Sequence, residues 1–176
     1  MNGDFLKRAQ SRFESLEGSL NSLDAAIGDG DHGSTILKGL RAAAASPEDA
    51  AKAFRVAAGG ASGALFGQII AALDAFDKGD MELGPALARA AGRVTQLGQA
   101  KAGDKTMLDA LMPASLAGNE PAAAAHAARA GAEATRDMPA KRGRAKYVEG
   151  AGVGHLDPGA VSVAELLEEF AKPSGA

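Results

Sequence analysis

Alanine is the feature that most limits what this chain can fold into: it fills 42 of the 176 positions. Alanine is the best helix former, whereas Val and Ile, which favour strands, total only ten. No stretch alternates apolar and polar residues for more than a few positions, so nothing reads as a strand. The core must be helix on helix, with small side chains that let backbones approach closely. The length predicts one domain over residues 1–176, large enough to bury roughly two-thirds of its unfolded surface. With 46% hydrophobic residues and 23% charged, a disordered chain is excluded.

Punctuation predicts eight helices. The first carries Phe5, Leu6, Ala9, Phe13, Leu16, Leu20 and Leu23 on one face and stops at Gly28-Asp29-Gly30. The second runs from Ser34 through the alanines at 42–45. The third opens with Ser46-Pro47-Glu48-Asp49, a cap, a first-turn proline and acids on the positive helix end, and it closes at Gly59-Gly60. A fourth covers 63–77. A fifth runs from a cap at Asp80 to Gln99, with Gly84-Pro85 delaying its start. Asp104 reads as the cap of a sixth, 105–117, and Asn119-Glu120-Pro121 opens a seventh that reaches Thr135. Ser162-Val163-Ala164-Glu165 has capping-box spacing and starts the last. Segment 138–161 is too rich in Gly, Pro and charge for helix, and loops of that length are usually functional or disordered.

Several function classes drop out early. There is no cysteine, hence no disulfide framework and no thiol nucleophile. A net charge of −3 and 4% aromatics leave neither a basic face nor a stacking platform for nucleic acid. The start MNGDFLKRAQ lacks a signal-peptide core, and no apolar run approaches 18 residues. The expectation is a soluble cytoplasmic protein with no membrane contact.

Four segments are more polar and glycine-rich than connections need: Leu23 to Gly33, Gly59 to Gly63, Ala102 to Met107 and Gly154 to Ala160. In the first, Asp24, Asp29 and Asp31 crowd three carboxylates into eight residues. Their repulsion calls for a cation, and oxygen-only ligands point to a hard ion, Mg²⁺ or Ca²⁺. An EF-hand does not fit, because no Glu stands at the twelfth position. The alternative is that Asp29 and Asp31 only shape the turn and cap the second helix. The second segment sets small residues at a helix start, where free N–H groups favour a phosphate; a tight helix–helix turn would look the same. A Ser62 nucleophile is rejected, since Ala64 replaces the second elbow glycine and no strand leads in. A Walker A loop is rejected as well: Asp104 is inserted before Lys105-Thr106, and again no strand precedes. His126 lies among alanines and reads as a surface residue. His32 and His155, beside acids and glycines, are the better ligand candidates. The cations Lys141, Arg142, Arg144 and Lys146 form either a solvated loop or a counter-charge for a polyphosphate. Residue by residue, the chain reads as an all-α protein that binds a nucleotide through divalent metal.

Five stretches, LDAAIGDGDHG, GGASG, GDKTMLDALMP, KRGRAKY and GHLDPGA, resemble in content and order the nucleotide-binding L subunit of dihydroxyacetone kinases. They span nearly the whole chain. The resemblance implies eight antiparallel up-and-down helices forming a barrel with a nucleotide site at one end. It implies two Mg²⁺ ions on Asp24, Asp29 and Asp31, and ADP or ATP phosphates cradled by His32, Gly33, Ser34 and Thr35 and by Ala61 and Ser62. Gly103 and Met112 would line the adenine site. Arg144 and Asp157-Pro158-Gly159 would close over the nucleotide, making 138–161 a lid.

The chain departs from the family pattern in two places. Thr35-Ile36 stands where the family often has Asn-Met, and Ala64-Leu65-Phe66 where it has Pro-Leu-Tyr. Both departures touch the phosphate turns and spare the acids. The chain is also short for a free-standing member, which suggests trimmed ends.

Phosphoryl transfer needs positioning and charge neutralisation more than a general base. A separate K subunit would hold the ketone as a hemiaminal on its own histidine. The phosphoryl source is ATP in one branch of the family. In the other it is a phosphocarrier of the phosphoenolpyruvate-dependent phosphotransferase system that recharges bound ADP, and a free-standing chain points to this second branch. Relatives also take four-carbon ketoses. The contrasting readings are a non-catalytic, nucleotide-dependent regulatory module and a helical scaffold. A homodimer stays open.

Overall fold

The computed structural model describes Met1 and residues 3–173. Eight helices are present among them: α1 (Gly3–Ala25), α2 (His32–Ala45), α3 (Ala50–Ala58), α4 (Gly60–Asp77), α5 (Leu83–Gly98), α6 (Leu108–Leu116), α7 (Pro121–Ala134) and α8 (Pro158–Ala171). No strand occurs among the described residues, and none of their helices is long and apolar enough to cross a membrane. Each helix packs against its neighbours in sequence, and α8 returns to pack on α1, so the order of contacts closes on itself.

Small residues make this packing close. A Cβ on Gly131 of α7 would lie 2.1 Å from the Asp109 carbonyl oxygen of α6. One on Gly63 of α4 would lie 2.5 Å from the Arg55 carbonyl oxygen of α3, and one on Gly33 of α2 would lie 2.4 Å from that of Glu17 in α1. The buried face of α7 consists only of Ala124, Ala125, Ala128 and Ala132. Larger core residues come mainly from other helices, among them Phe13, Phe54, Ile69, Leu87 and Leu167. A fork of charge ties three helices together. Glu165 of α8, nearly buried, accepts from Arg12 Nε of α1 at 2.9 Å and Arg129 Nη2 of α7 at 2.6 Å. Arg129 also grips Glu168 with both arms, which holds the Glu168 carboxyl below its ordinary pKa.

Most helix positions follow the sequence, while several ends differ. α8 begins at Pro158, four residues before the Ser162 start. Its cap is Asp157, whose carboxylate accepts from Ala160 N at 2.7 Å. Ser162 and Glu165 are buried and bond to other helices, so their capping-box spacing is incidental. α5 starts at Leu83 with Glu82 in the cap position instead of Asp80. α6 starts at Leu108, because Asp104 turns its carboxylate back to Lys101 N at 3.0 Å. α4 starts at Gly60 and α2 at His32, both earlier than expected. Residues 47–49 make a short 3₁₀ turn before α3. Segment 138–161 holds two 3₁₀ turns, Ala145–Tyr147 and Glu149–Gly152, and its last four residues belong to α8.

Candidate nucleotide and metal site

The cavity at the end where α2, α4 and α8 begin has a volume of about 430 Å³, within the range of small-ligand pockets. Asp24 is its organiser. From the last turn of α1, its Oδ2 accepts the backbone N–H groups of Gly30, Asp31 and His32 at 2.9, 3.0 and 3.2 Å. It therefore caps α2 from outside and folds the 28–31 turn around itself. A Cβ on Gly28 would lie 2.3 Å from Asp24 Oδ1, so any larger residue would push this carboxylate from its place. The turn brings oxygens of Asp24, Asp29 and Asp31 within 4.8 Å of one another, with Asp29 and Asp31 exposed to the cavity mouth. This all-oxygen donor set at this spacing fits a hard divalent cation. The Arg144 guanidinium contacts the Asp29 carboxylate. Desolvation is the largest influence on Asp29 and opposes its ionisation, but the Arg144 hydrogen bond and charge, with hydrogen bonds from the backbone and Asp24, together outweigh it, so its pKa falls.

The two expected phosphate turns differ in what they offer. At α2, Ser34 is turned away from the cavity: its hydroxyl donates to Glu17 at 2.8 Å and its N–H donates to Asn21 at 3.1 Å. Gly33 is buried against α1. Only His32 and Thr35 of that turn line the cavity. At α4, by contrast, no side chain caps the helix, and Gly59, Gly60, Ala61 and Ser62 all face the cavity. The uncapped positive end of α4 is therefore the better anion seat.

His32 is half-buried, and its Nε2 lies 2.8 Å from Ser162 Oγ. Burial pushes its pKa down to about 4, against the pull of Asp24 and a Pro158 backbone hydrogen bond, so the ring is neutral at pH 7. Asp157, at the start of α8, has its pKa raised to about 7. Desolvation is the first cause; the Ala160 N–H opposes it and the Asp109 charge adds to it. Pro158 and Arg144 also line the cavity, whereas Gly33, Ser34, Gly103, Met112 and Gly159 do not. Gly103 has a left-handed backbone and donates its N–H to Asp109, Met112 packs on the main core, and Gly159 lies against Asp157 and Met107. His155 and His126 are exposed and outside the cavity.

Sequence reading missed Ile27, Lys105 and Thr106 at the cavity wall, while Arg142, one of the candidate counter-charges, does line it. Lys105 was visible only as a failed Walker lysine. Its partners lie 30 to 50 residues away, so no local pattern could expose them.

The DAK2 domain model matches residues 26–172, most of the chain. The chain belongs to the DAK2 domain family. This DAK2 domain is 35% identical over 180 residues to the L-erythrulose 1-kinase of Mycolicibacterium smegmatis, covering 86% of the chain and 32% of that protein. It is 32% identical to the ADP-binding subunit DhaL of PEP-dependent dihydroxyacetone kinase 1 from Listeria innocua, covering 93% of the chain and 89% of the subunit. The crystal structure of the dihydroxyacetone kinase from C. freundii in complex with AMP-PNP and Mg²⁺ matches with a TM-score of 0.76 at 28% identity, over 97% of this chain and 34% of that one. The domain thus spans about a third of the larger kinases and nearly the length of the Listeria subunit.

Proposed function

We propose that this DAK2 domain is the nucleotide-binding component of a dihydroxyacetone-type ketose kinase, holding ADP or ATP with Mg²⁺ in the cavity at the α2–α4–α8 end. The observation that carries the reading is the meeting of three carboxylates, an uncapped helix N-terminus and an arginine at one cavity. A polyphosphate with its metal needs those three things together.

Asp24, Asp29 and Asp31 would hold two Mg²⁺ ions, which neutralise phosphate charge when bound. Asp24 is fixed by the three N–H groups it accepts, so its position costs no reorganisation on binding. Ala61 and Ser62 offer backbone N–H groups to the phosphates, and Arg144 adds a positive charge from the lid. His32, neutral and bonded to Ser162, orients the first turn of α2 without adding charge. Segment 138–157 shields the phosphates from water while leaving the mouth open toward a second protein.

The acceptor would sit on a separate K subunit, as the family resemblance implies. The acceptor is dihydroxyacetone or a related four-carbon ketose. The similarity to the ADP-binding subunit of a PEP-dependent kinase supports ADP as a coenzyme, recharged by a phosphotransferase-system phosphocarrier. Titration calorimetry with ADP, run with Mg²⁺ and again with EDTA, tests the reading. Tight binding that disappears with EDTA is expected, and equal binding in both refutes the metal assignment. Reconstitution with a K subunit, supplied either with ATP or with a phosphocarrier and phosphoenolpyruvate, identifies the donor.

A further inference from the structure

Lys105 is the one buried lysine among the described residues, 2% exposed, and it has a left-handed backbone with φ +60°. Both features cost free energy, so the surrounding structure must over-determine this residue. Its ammonium donates to the carbonyls of Thr135, Gly152 and His155 at 2.8, 2.7 and 2.6 Å. An ammonium has three N–H groups, and all three are engaged. None remains for a phosphate, although the side chain borders the cavity.

The preceding residue acts on the other limb of the same segment. The Asp104 carbonyl accepts from Lys141 N at 3.1 Å, and its buried carboxylate lies 3.8 Å from Arg142 Nε. A bond from Ala140 N to Ala151 O at 2.8 Å joins the two limbs. Ile27, from the carboxylate turn, packs between Ala140 and Ala145. The segment is thus held at its base, and Arg144 projects from the held part onto Asp29.

We propose that the Asp104–Lys105 pair is a positioning device for nucleotide binding: it pins both limbs of the 135–155 segment and thereby sets Arg144 over the phosphate and metal site. This deepens the kinase reading and rests on it. Lys105 acts here through Arg144 and touches no ligand.

The test is a double-mutant cycle on Mg-ADP affinity, using Lys105→Met, Arg144→Ala and the double variant, with helix content checked by circular dichroism. Each single variant should weaken binding by about tenfold, and the double by no more than about twofold beyond the worse single, because both remove one interaction. Trypsin should cut Lys105→Met faster than wild type at Lys141, Arg142, Arg144 and Lys146. Losses that multiply would mean that Lys105 contacts the nucleotide itself, which overturns the proposal, as would unchanged affinity with unchanged cleavage. If Lys105→Met loses helix content, Asp104→Asn, which loosens the opposite limb, takes its place in the same cycle and is judged by the same outcomes. A wild-type chain that binds no Mg-ADP overturns the kinase reading and the pin with it, whereas normal wild-type binding with a failed cycle overturns the pin alone.

Discussion

Gly131→Ala and Gly92→Ala are the same chemical change in two helix interiors, and the structure gives them opposite signs. At Gly92, on the exposed side of α5, nothing lies within 4 Å of the new methyl group. Alanine there only removes the conformational cost of glycine, a gain of about 0.5–1 kcal/mol. At Gly131 the methyl would lie 2.1 Å from the Asp109 carbonyl oxygen and 3.1 Å from Ala110 Cα, both backbone atoms that no rotamer change can move. The α6 and α7 axes would have to part by roughly 1 Å, an overpacking cost of about 1–3 kcal/mol or somewhat more. Less the propensity gain, the net loss is about 2 kcal/mol. In a chain of this size that lowers Tm by roughly 4–8 °C, while Gly92→Ala raises it by about 1–4 °C. Differential scanning calorimetry of both variants beside wild type measures the pair. A Gly131→Ala protein as stable as Gly92→Ala would refute the close approach of α6 and α7 and the role given to small residues.

Other outcomes follow from the site. Asp29→Ala and Asp31→Ala should each cost more than about tenfold in ADP affinity at fixed Mg²⁺, measured by calorimetry, since each removes one of three carboxylates from the cation. His32 is neutral in the fold with a pKa of about 4 against 6.5 when unfolded. The unfolded chain therefore takes up a proton first as pH falls, and stability present above pH 6.5 is lost down to pH 4, by about 3 kcal/mol. Denaturant titrations from pH 7.5 to 4 should show this slope and its absence in His32→Gln; parallel profiles would disprove the desolvated neutral ring. The purified chain with ATP and dihydroxyacetone should form no product, and turnover in the demonstrated absence of a K subunit would contradict the two-subunit reading.

The acids of the candidate site were legible because they are local. Asp24, Asp29 and Asp31 lie within one turn's reach, and the glycines between them announce a sharp bend. The phosphate turns were legible only as far as glycine and serine can signal. The pattern could not reveal that Ser34 faces α1 while Ala61 and Ser62 face the cavity. Helix rotation decides that, and packing decides helix rotation. The early start of α8 was hidden for a similar reason. Ser162 and Glu165 have the spacing of a cap, but partners on α1, α2 and α7 claim their buried side chains.

By itself the sequence determined the class of fold, the number of helices and the place of the three crowded carboxylates. These depend on intrinsic propensity, short-range periodicity and charge crowding over a few residues. Tertiary structure alone decided which helix end offers free N–H groups, why His32 is neutral and what holds Lys105. Each of these depends on partners far along the chain: Ser162 lies 130 residues from His32, and the carbonyls that hold Lys105 lie 30 to 50 residues away. Desolvation and hydrogen-bond saturation belong to the assembled bundle, and no window of sequence contains them.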